Sequence, residues 1–345
     1  MIITVLLVLS CLFLNVTGND SIVDLQGKTC QIMDGDVSMF DGCEVKNGTL
    51  IIAEGSYRLQ VKKEGGACLR IGDNTEVVIN GRLALATNRF KSCDMIRIVG
   101  SHVKIHGKGS IRGDRHTHTG REGEWGMGIH LDGAENVTVS GITIANCWGD
   151  CIYVGGGSKN IRVSNCKLQG SRRQGISITK ADGVSINNCK IANISGTNPQ
   201  YAIDIEPNKK CSVNNTLIEN VDVTNCEGGI RATLPNKGVG NAMIGRVEIR
   251  NCQVSAKTRY AIHLNRCQRA IVEACTISST NERPSVYANY IDTLRICDNT
   301  LNVEMQLLSS MKNKARRLVG KDAYSTIRAV HSGNNVIENN RIIEK

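Results

Sequence analysis

The stretch Val163-Ser164-Asn165-Cys166 returns 23 residues later as Ile186-Asn187-Asn188-Cys189. Each copy has a β-branched aliphatic residue two positions before an Asn, and the period-2 alternation around it is typical of a short strand. Related phrases, in which Gly, His, Ala or Asp can replace the Asn, recur along the chain at residues 78–81, 104–107, 139–142, 218–221, 249–252, 272–275 and 296–299.

The spacing of these phrases indicates a solenoid. Counted at the third position it varies from 23 to 34 residues, with a base period near 23. Such a pattern is typical of stacked coils that carry loops of different lengths. A leucine-rich repeat has a similar period but requires Leu at fixed positions, and no amphipathic helix lies between the phrases. We therefore predict an all-β, single-domain chain: a right-handed parallel β-helix of about ten coils.

The two ends of the chain differ from the repeat. An apolar run from Ile2 to Leu14 is too short to span a bilayer and predicts a cleaved signal peptide, with an uncleaved anchor as the alternative. Near the other end, residues 305–321 carry apolar side chains at helical spacing and predict a capping helix, with a membrane surface or a partner as alternative contacts. The expected segments are a signal peptide at 1–18, an N-terminal cap at 19–64, the β-helix at 65–304, and a helical insertion with a last coil at 305–345.

Cysteine and asparagine usage suits a secreted protein. Of the fifteen cysteines, fourteen remain after Cys11 is removed with the signal, an even number that fits an oxidising compartment and disulfide bonds. The alternative is that Cys and Asn stack in columns, with Cys in the core and Asn amides at the turns. No CxxC pair or His/Cys cluster has zinc spacing, so no metal site is expected. Sequons that could accept glycan stand at Asn47, Asn136, Asn193 and Asn214.

The net charge of +10 points to an acidic partner. Because the basic residues are dispersed and the chain is expected to be secreted, an anionic polysaccharide is favoured and nucleic acid is not. No stretch after the signal could cross a membrane, so no stable membrane insertion is expected once the signal is removed. The sequence makes no prediction about oligomeric state.

A second strand in each coil predicts an outer surface. Its aliphatic residues, such as Ile203 and Ile205, point inward, and the residue between them points out. Small residues such as Gly175 and Ala202 precede these aliphatics and are expected to flank a groove. Stacking the coils gives the outward column His130, Tyr153, Ser177, Asp204, Arg231 and His263.

Carboxylates concentrate at one point of this surface. Asp204 and Glu206 lie two apart on one strand, which places them on one face about 6.5 to 7 Å apart at the backbone. An acid and a base at such a separation could act on either side of a glycosidic bond, and the wider class of separations suits inversion. Asp150, two coils earlier, could aim a third carboxylate at the same space.

Arginines surround these acids and could bind substrate carboxylates or hold one pKa low. The alternative for any one charge is a solvated ion pair on the outer face. His130 and His263 have no obvious partner in the register and are expected to be surface histidines rather than catalytic bases. The expected substrate-binding residues are Arg172, Arg173, Gln174, Tyr153, Arg231, His130 and His263.

Three motifs carry a family resemblance across residues 23–303. They are Gly149-Asp150-Cys151-Ile152, Arg172-Arg173-Gln174-Gly175-Ile176 and Ala202-Ile203-Asp204-Ile205-Glu206. With them the chain resembles the pectin-lyase-like superfamily of parallel β-helix proteins, and the last two motifs look like those of bacterial and phage members. The resemblance implies a β-helix, and many such members are thought to act on surface polysaccharides.

The first motif also resembles polygalacturonase-type hydrolases, but this chain departs from their pattern. Gly149 replaces the first Asp, Gln174 stands where a His is expected, and Asp204-x-Glu206 occupies roughly the position of an Arg-x-Lys strand. Only Asp150 matches an acidic catalytic position of that family, so the fold is implied and the mechanism is not.

Three functions remain open from the sequence. The first is a carbohydrate-active hydrolase that cleaves an acidic polysaccharide with Asp204, Glu206 and Asp150, and it requires no cofactor. The second is a polysaccharide lyase or uronate C5-epimerase, in which a basic side chain removes the C5 proton and Ca²⁺ could assist. The third is a non-catalytic glycan-binding or structural β-helix, because the scaffold alone does not determine activity.

Overall fold

The computed structural model describes residues 16–17, 22–32, 42–234, 240–280, 283–303, 319–320 and 326–344. Every regular element within these ranges is a β-strand. The sequence predicts one domain, whereas the structure divides the chain into two compact units, Met1–Lys167 and Leu168–Lys345. Each unit is a parallel β-helix whose coils visit three sheets in turn, and right-handed crossovers are the rule for such connections.

In the first unit, successive coils pair in parallel through all three sheets. Its first sheet contains Ile22–Asp24, Glu44–Lys46, Ala67–Ile71, Ser92–Ile98, Trp125–Asp132 and Ile152–Gly155. Its second sheet contains Thr29–Ile32, Gly48–Ile52, Thr75–Ile79, Ser101–His106, Glu135–Ser140 and Ser158–Ser164. Its third sheet contains Ser56–Leu59, Arg82–Leu85, Ser110–Arg112 and Thr143–Ala145. Val16–Thr17 adds an antiparallel pair to Ile22–Asp24, and Lys167–Gln169 lies at the limit of the unit.

The second unit repeats the same arrangement. Its first sheet contains Ile176–Ile178, Tyr201–Ile205, Gly228–Thr233, Ile262–Asn265, Val286–Asn289, Ile327–Val330 and Val319–Gly320. Its second sheet contains Ala181–Asn187, Ser212–Glu219, Met243–Arg250, Cys267–Glu273, Thr293–Cys297 and Asn334–Glu338. Its third sheet contains Lys190–Ala192, Asp222–Cys226, Gln253–Ala256, Thr276–Ser279, Thr300–Val303 and Arg341–Glu344.

The ends differ in part from the expected segments. Residues 22–59, expected to form a cap, already contribute strands that pair with the coils after them. The expected last coil lies in Asn334–Glu338 and Arg341–Glu344. The predicted helix at 305–321 falls outside the described residues except for Val319–Gly320, and so does the predicted signal peptide except for Val16–Thr17. No helix of the described chain is long and apolar enough to cross a membrane.

Aliphatic columns form the core. Ile176, Ile203 and Ile230 are register neighbours in the second unit, and each is completely buried, as the alternation predicts. Burying one such side chain stabilises the fold by roughly 1.5–3 kcal/mol. Since a coil repeats this burial on three sheets, the register between coils is strongly specified.

Cys and Asn share a role at the corner after the second sheet. Cys252 and Cys275 donate through Sγ to the carbonyl oxygens of Ile218 and Ile249, both at 3.6 Å. One and two coils further, Asn299 and Asn340 donate in the same way to Val272 and Ile296, at 3.0 and 2.8 Å. Thirteen of the fourteen cysteines in the described residues are buried, as the column hypothesis predicts. At this corner Cys252 and Cys275 are thiols that satisfy backbone carbonyls, not half-cystines.

Asparagine also builds turns in the left-handed region. Asn188, Asn220 and Asn251 have φ of 52°, 53° and 52°, a conformation that Asn tolerates better than most residues. The sequon residue Asn136 has φ 55° and accepts a hydrogen bond of 3.1 Å from Asn160 of the next coil. Asn193, another sequon residue, accepts one from Asn225. These amides have structural partners, and their glycosylation stays a prediction.

Ala274 occupies the turn position of Asn251 one coil later, with φ 54°. An L-residue other than Gly or Asn at this φ costs roughly 1–2 kcal/mol. We therefore expect Ala274→Asn to raise the free energy of unfolding by about 0.5–1 kcal/mol, measured as a higher urea midpoint. Ala274→Ser adds a polar group, but Ser does not tolerate a positive φ as well as Asn does. It should therefore raise the urea midpoint by less than Ala274→Asn. An unchanged or lower midpoint for Ala274→Asn would contradict this explanation.

Candidate active site

The first sheet of the second unit carries one continuous outward column. Its residues are register neighbours in successive coils: Ser177, Asp204, Arg231, His263, Tyr287 and Arg328. The sequence predicts the part from Ser177 to His263, and the register confirms it. The structure extends the column by two coils.

Asp204 is buried, although the sequence predicts an open groove at this point. Its side chain is only 2% exposed. Oδ2 accepts a hydrogen bond of 2.8 Å from Nε2 of Gln174, whose own side chain is fully buried. Oε1 of Gln174 accepts from the backbone N–H of Tyr201 at 2.6 Å, which fixes the orientation of the amide. Gln174 therefore holds the carboxylate of Asp204 in one position.

Arg231 joins the two carboxylates that the sequence pairs. Its Nη1 lies 3.2 Å from Oδ2 of Asp204 and 3.2 Å from Oε2 of Glu206, and its Nη2 lies 3.1 Å from Oε1 of Glu206. Nη1 thus bridges one oxygen of each carboxylate. The separation of the carboxyl groups distinguishes inverting from retaining glycosidases, and inversion at this site stays a prediction.

The two acids that contact Arg231 differ in burial, and the electrostatic effects fall on Arg231 and Tyr201. Glu206 is 30% exposed at its side chain, against 2% for Asp204. Burial by itself would lower the pKa of Arg231, but the carboxylates of Asp204 and Glu206 raise it above its ordinary value. The guanidinium also lies over the ring of Tyr201, 5.8 Å from its centroid. Burial raises the pKa of Tyr201 to about 12, so its hydroxyl remains protonated near neutral pH.

His263 lies in an aromatic cluster beyond Arg231. Its ring centroid is 4.7 Å from that of Tyr260 and 5.4 Å from that of Tyr287. Burial, together with the charges of Arg231 and Arg283, lowers the pKa of His263 to about 3. His263 is therefore a neutral, packed side chain at physiological pH. It is not the ordinary surface histidine that the sequence predicts, and the expectation that it is not a catalytic base stays a prediction.

The structure brings together Gln174, Asp204, Glu206 and Arg231 from the predicted set. Arg173 lies nearby, with Nη1 3.5 Å from Oγ of Ser177, and Arg172 contributes its carbonyl oxygen to the N–H of Thr197 at 2.7 Å. Three other predicted site residues, Asp150, Tyr153 and His130, belong to the first unit. Asp150 is buried there, and its placement beside Asp204 stays a prediction.

His130 has a partner that sequence reasoning missed. Its Nδ1 lies 3.0 Å from Oδ2 of Asp94, and Nε of Arg97 donates to the same oxygen at 2.6 Å. Tyr153 packs edge-on against the His130 ring, with centroids 4.9 Å apart. The side chain of Asp94 is 3% exposed and that of His130 18%. The available signal was the register of Arg97 with His130, but Asp94 lies three residues before Arg97 and outside the predicted column.

A second buried dyad in the first unit is structural. Nδ1 of His118 lies 2.9 Å from Oδ2 of Asp114, and both side chains have no exposed surface. The His118 ring stacks on Trp148 with centroids 3.9 Å apart, and Asn88 donates to Asp114 at 2.9 Å. This dyad ties the loop after Ser110–Arg112 to the coil and presents no atom to a substrate.

The small residues expected to flank a groove point into the core instead. A Cβ on Gly128, Gly175 or Gly229 would lie 2.5–2.6 Å from an aliphatic side chain of the third sheet. Ala202 and Cys151 are fully buried. The prediction of a groove edge is wrong, because the chain turns inward at this position and small side chains are needed where the first and third sheets meet.

Comparisons with known proteins identify the family. The family model described as "Right handed beta helix region" matches residues 88–239 and 127–280, together more than half of the chain. The chain belongs to this family. It is 30% identical over 188 residues to the SPbeta prophage-derived uncharacterized protein YorA of Bacillus subtilis, a match that covers 47% of this chain and 32% of YorA. The chain thus spans about a third of the length of that relative.

Solved structures share the fold at low identity. The A-module of mannuronan C-5 epimerase AlgE6 from Azotobacter vinelandii has a TM-score of 0.60 and 13% identity, over 86% of this chain and 91% of that one. A tailspike protein of E. coli bacteriophage HK620, in complex with a pentasaccharide, has a TM-score of 0.54 and 12% identity, over 86% and 60%. At such identity these similarities establish the fold alone.

The low pKa of His263 predicts an acid-sensitive fold. In the unfolded chain this His takes up a proton near its ordinary pKa of 6.5, whereas in the folded chain it stays neutral down to about pH 3. The unfolded state therefore binds more protons as the pH falls below 6.5, and stability is lost over that window. In the wild type the free energy of unfolding should fall between pH 7 and pH 4. His263→Gln should make this fall smaller by up to about 3 kcal/mol, measured by urea unfolding at both pH values.

His116, which is exposed, supplies the control. His116→Gln should leave the pH dependence of the free energy of unfolding as it is in the wild type. If His263→Gln shows the wild-type dependence as well, the assignment of a neutral, half-buried His263 in the folded state is wrong.

Proposed function

We propose that this chain is a secreted glycoside hydrolase acting on an acidic polysaccharide at Asp204 and Glu206. The observation that carries the proposal is the guanidinium of Arg231, which holds two carboxylates of different burial. Two carboxyl groups in different environments can divide the roles of base and acid. The net charge of +10 agrees with an acidic substrate.

Asp204 suits the role of the carboxylate that stays ionised. Gln174 donates a hydrogen bond to it at 2.8 Å and Arg231 adds a positive charge at 3.2 Å, and both favour the charged form. Since the Gln174 amide is itself fixed by the backbone of Tyr201, the oxygen of Asp204 is held in place before substrate binds. Asp204 then acts as the base or the nucleophile.

Glu206 suits the role of the acid. It is the more exposed of the pair and depends on Arg231 for its two ion-pair contacts, at 3.1 and 3.2 Å. A carboxylate on the substrate competes with Glu206 for that guanidinium. When the substrate takes the guanidinium, Glu206 is released from its ion pair and becomes available as the general acid for the leaving oxygen.

Two of the structural relatives support a carbohydrate role for the scaffold. One is named as a mannuronan C-5 epimerase, and the other is a tailspike protein in complex with a pentasaccharide. The fold supports a glycan-binding module without chemistry equally well. The difference between these functions therefore depends on Asp204 and Glu206.

Substitution of the carboxylates tests the proposal. Asp204→Asn and Glu206→Gln should each lower the rate of reducing-end release from polygalacturonate by at least about a hundredfold, because each removes a proton-transfer group or nucleophile. Circular dichroism checks the fold. Glu248→Gln is the matched control, since Glu248 also pairs with two arginines, Arg246 and Arg250, but lies on the second sheet.

The control variant should keep the wild-type rate. Full activity of both Asp204→Asn and Glu206→Gln would exclude the assignment of this site. Binding of polygalacturonate without any release of reducing ends by the wild type would instead identify a glycan-binding module.

The Asp94–His130 pair favours a second candidate, a uronate lyase or C5-epimerase. Because Nδ1 of His130 is bonded to Asp94, the ring orientation is fixed and Nε2 remains available, with no hydrogen bond among the described residues. Nε2 would accept the C5 proton of a uronate. In elimination the C5–H electron pair forms the C4–C5 double bond, the C4–O bond breaks, and the leaving oxygen takes a proton from water.

This candidate predicts a different product. If it is correct, the wild type releases unsaturated uronate that absorbs in the ultraviolet, or an epimerised chain seen by proton NMR. His130→Ala and Asp94→Asn should then lose at least about a hundredfold in rate, because both disturb the base. His106→Gln is the matched control, since His106 pairs with Glu76 at 2.8 Å on the second sheet. A parallel assay with EDTA tests a requirement for Ca²⁺.

Absence of unsaturated and epimerised products at full reducing-end release would exclude this second candidate and leave the hydrolase.

A further inference from the structure

Two arginines and two tyrosines form a stack at the far end of the outward column. The rings of Tyr260 and Tyr287 are stacked, with centroids 5.0 Å apart and planes 18° from parallel. Arg283 lies over Tyr260 at 5.1 Å and Arg328 over Tyr287 at 5.6 Å from the ring centroids. The ring faces are thus occupied by each other and by guanidinium groups, so they are poorly placed to stack on a sugar.

The stack fixes the guanidinium groups without using their polar edges. A cation over an aromatic face is attracted by the ring electrons, whereas hydrogen bonds to a carboxylate use N–H groups in the guanidinium plane. Arg283 is fixed further, since its Nε donates to the carbonyl oxygen of Thr258 at 3.2 Å. Nε of Arg328 is buried and has no hydrogen-bond partner in the described part of the chain. The described residues provide Arg328 with no carboxylate partner.

Among the described residues, no carboxylate therefore compensates the positive charge of Arg328. Its neighbour in the column, Tyr287, is uncharged, and His263 beyond it is neutral because its pKa is about 3. Arg231, one coil further, is already paired with Asp204 and Glu206. An anion of the right size would be attracted to Arg328 rather than to the rest of the column.

We propose that Arg328, held on Tyr287 and supported by Arg283 on Tyr260, binds a carboxylate of an acidic polysaccharide in line with the Asp204–Glu206 site. Arg231 and Arg328 are three coils apart in one column, which corresponds to about 14 Å along the sheet. A chain lying along the column would present one acidic sugar to each. The inference rests on the proposed function for the choice of ligand.

The test measures binding separately from cleavage. Affinity of the full chain for polygalacturonate is measured by electrophoresis through gels containing the polymer, with neutral dextran and dextran sulfate in parallel gels. Arg328→Gln should weaken polygalacturonate binding about tenfold or more, because one charge-assisted contact is lost. Binding by the wild type should weaken more steeply with added salt than binding by the variant.

Tyr287 variants distinguish positioning from a structural role. Tyr287→Phe keeps the aromatic face and should bind like the wild type, whereas Tyr287→Leu releases the guanidinium and should resemble Arg328→Gln. Thermal unfolding of all variants shows whether lost affinity merely follows lost stability. Arg269→Gln, an exposed arginine on the second sheet, is the matched control and should keep wild-type affinity.

Unchanged polygalacturonate affinity for Arg328→Gln would overturn the inference, and so would wild-type binding to dextran sulfate alone or to none of the three polymers. Wild-type binding that Arg328→Gln weakens, without reducing-end release, would support the subsite and reject the hydrolase. Normal reducing-end release, with no effect of Arg328→Gln on binding, would support the hydrolase and reject the subsite.

Discussion

Hydrogen bonding between parallel strands of successive coils sets the position of the side chains on the described strands of this protein. Residues of the same phase lie about 4.8 Å apart in neighbouring coils, so a repeat in sequence becomes a column in space. A slip of one residue would turn Asp204 into the core and Ile203 to the outside. The aliphatic columns prevent that slip, since Ile176, Ile203 and Ile230 are completely buried. The candidate site is thus a consequence of core packing on the same strands.

The columns also determine which charges interact, because charged residues at the same position of successive coils are close neighbours. At the site, the acidic residue Asp204 is followed one coil later by the basic residue Arg231. Uncharged Ser177 and neutral His263 precede and follow this pair in the column. The uncharged neighbours confine the ion pair to two coils. The described residues provide no carboxylate partner for Arg328, the next arginine of the column.

Sequence reasoning reached the fold and the column because both depend only on period and alternation. The spacing of Asn165 and Asn188 gives the coil length, and counting along the strands brings Asp204, Glu206 and Arg231 together. Burial was not predictable in this way. Gln174, which donates a hydrogen bond to Asp204, precedes the strand Ile176–Ile178 and lies outside the alternating pattern. The inward turn at Gly175 breaks the alternation that the groove prediction assumed. Asp94 reaches His130 diagonally across coils, a contact that column counting does not include.

The buried acids argue for function over stability. Taking a carboxylate and a guanidinium out of water costs several kcal/mol per ion, and well-packed apolar residues of similar volume are often at least as stable. Asp94 and Asp204 are nevertheless 3% and 2% exposed on first-sheet strands of their units, each held by an arginine and one further polar side chain. Buried charged side chains that stabilise the fold poorly are concentrated at functional sites. By this argument both carboxylate networks are functional candidates, and the one at Asp204 has the additional carboxylate that hydrolysis needs.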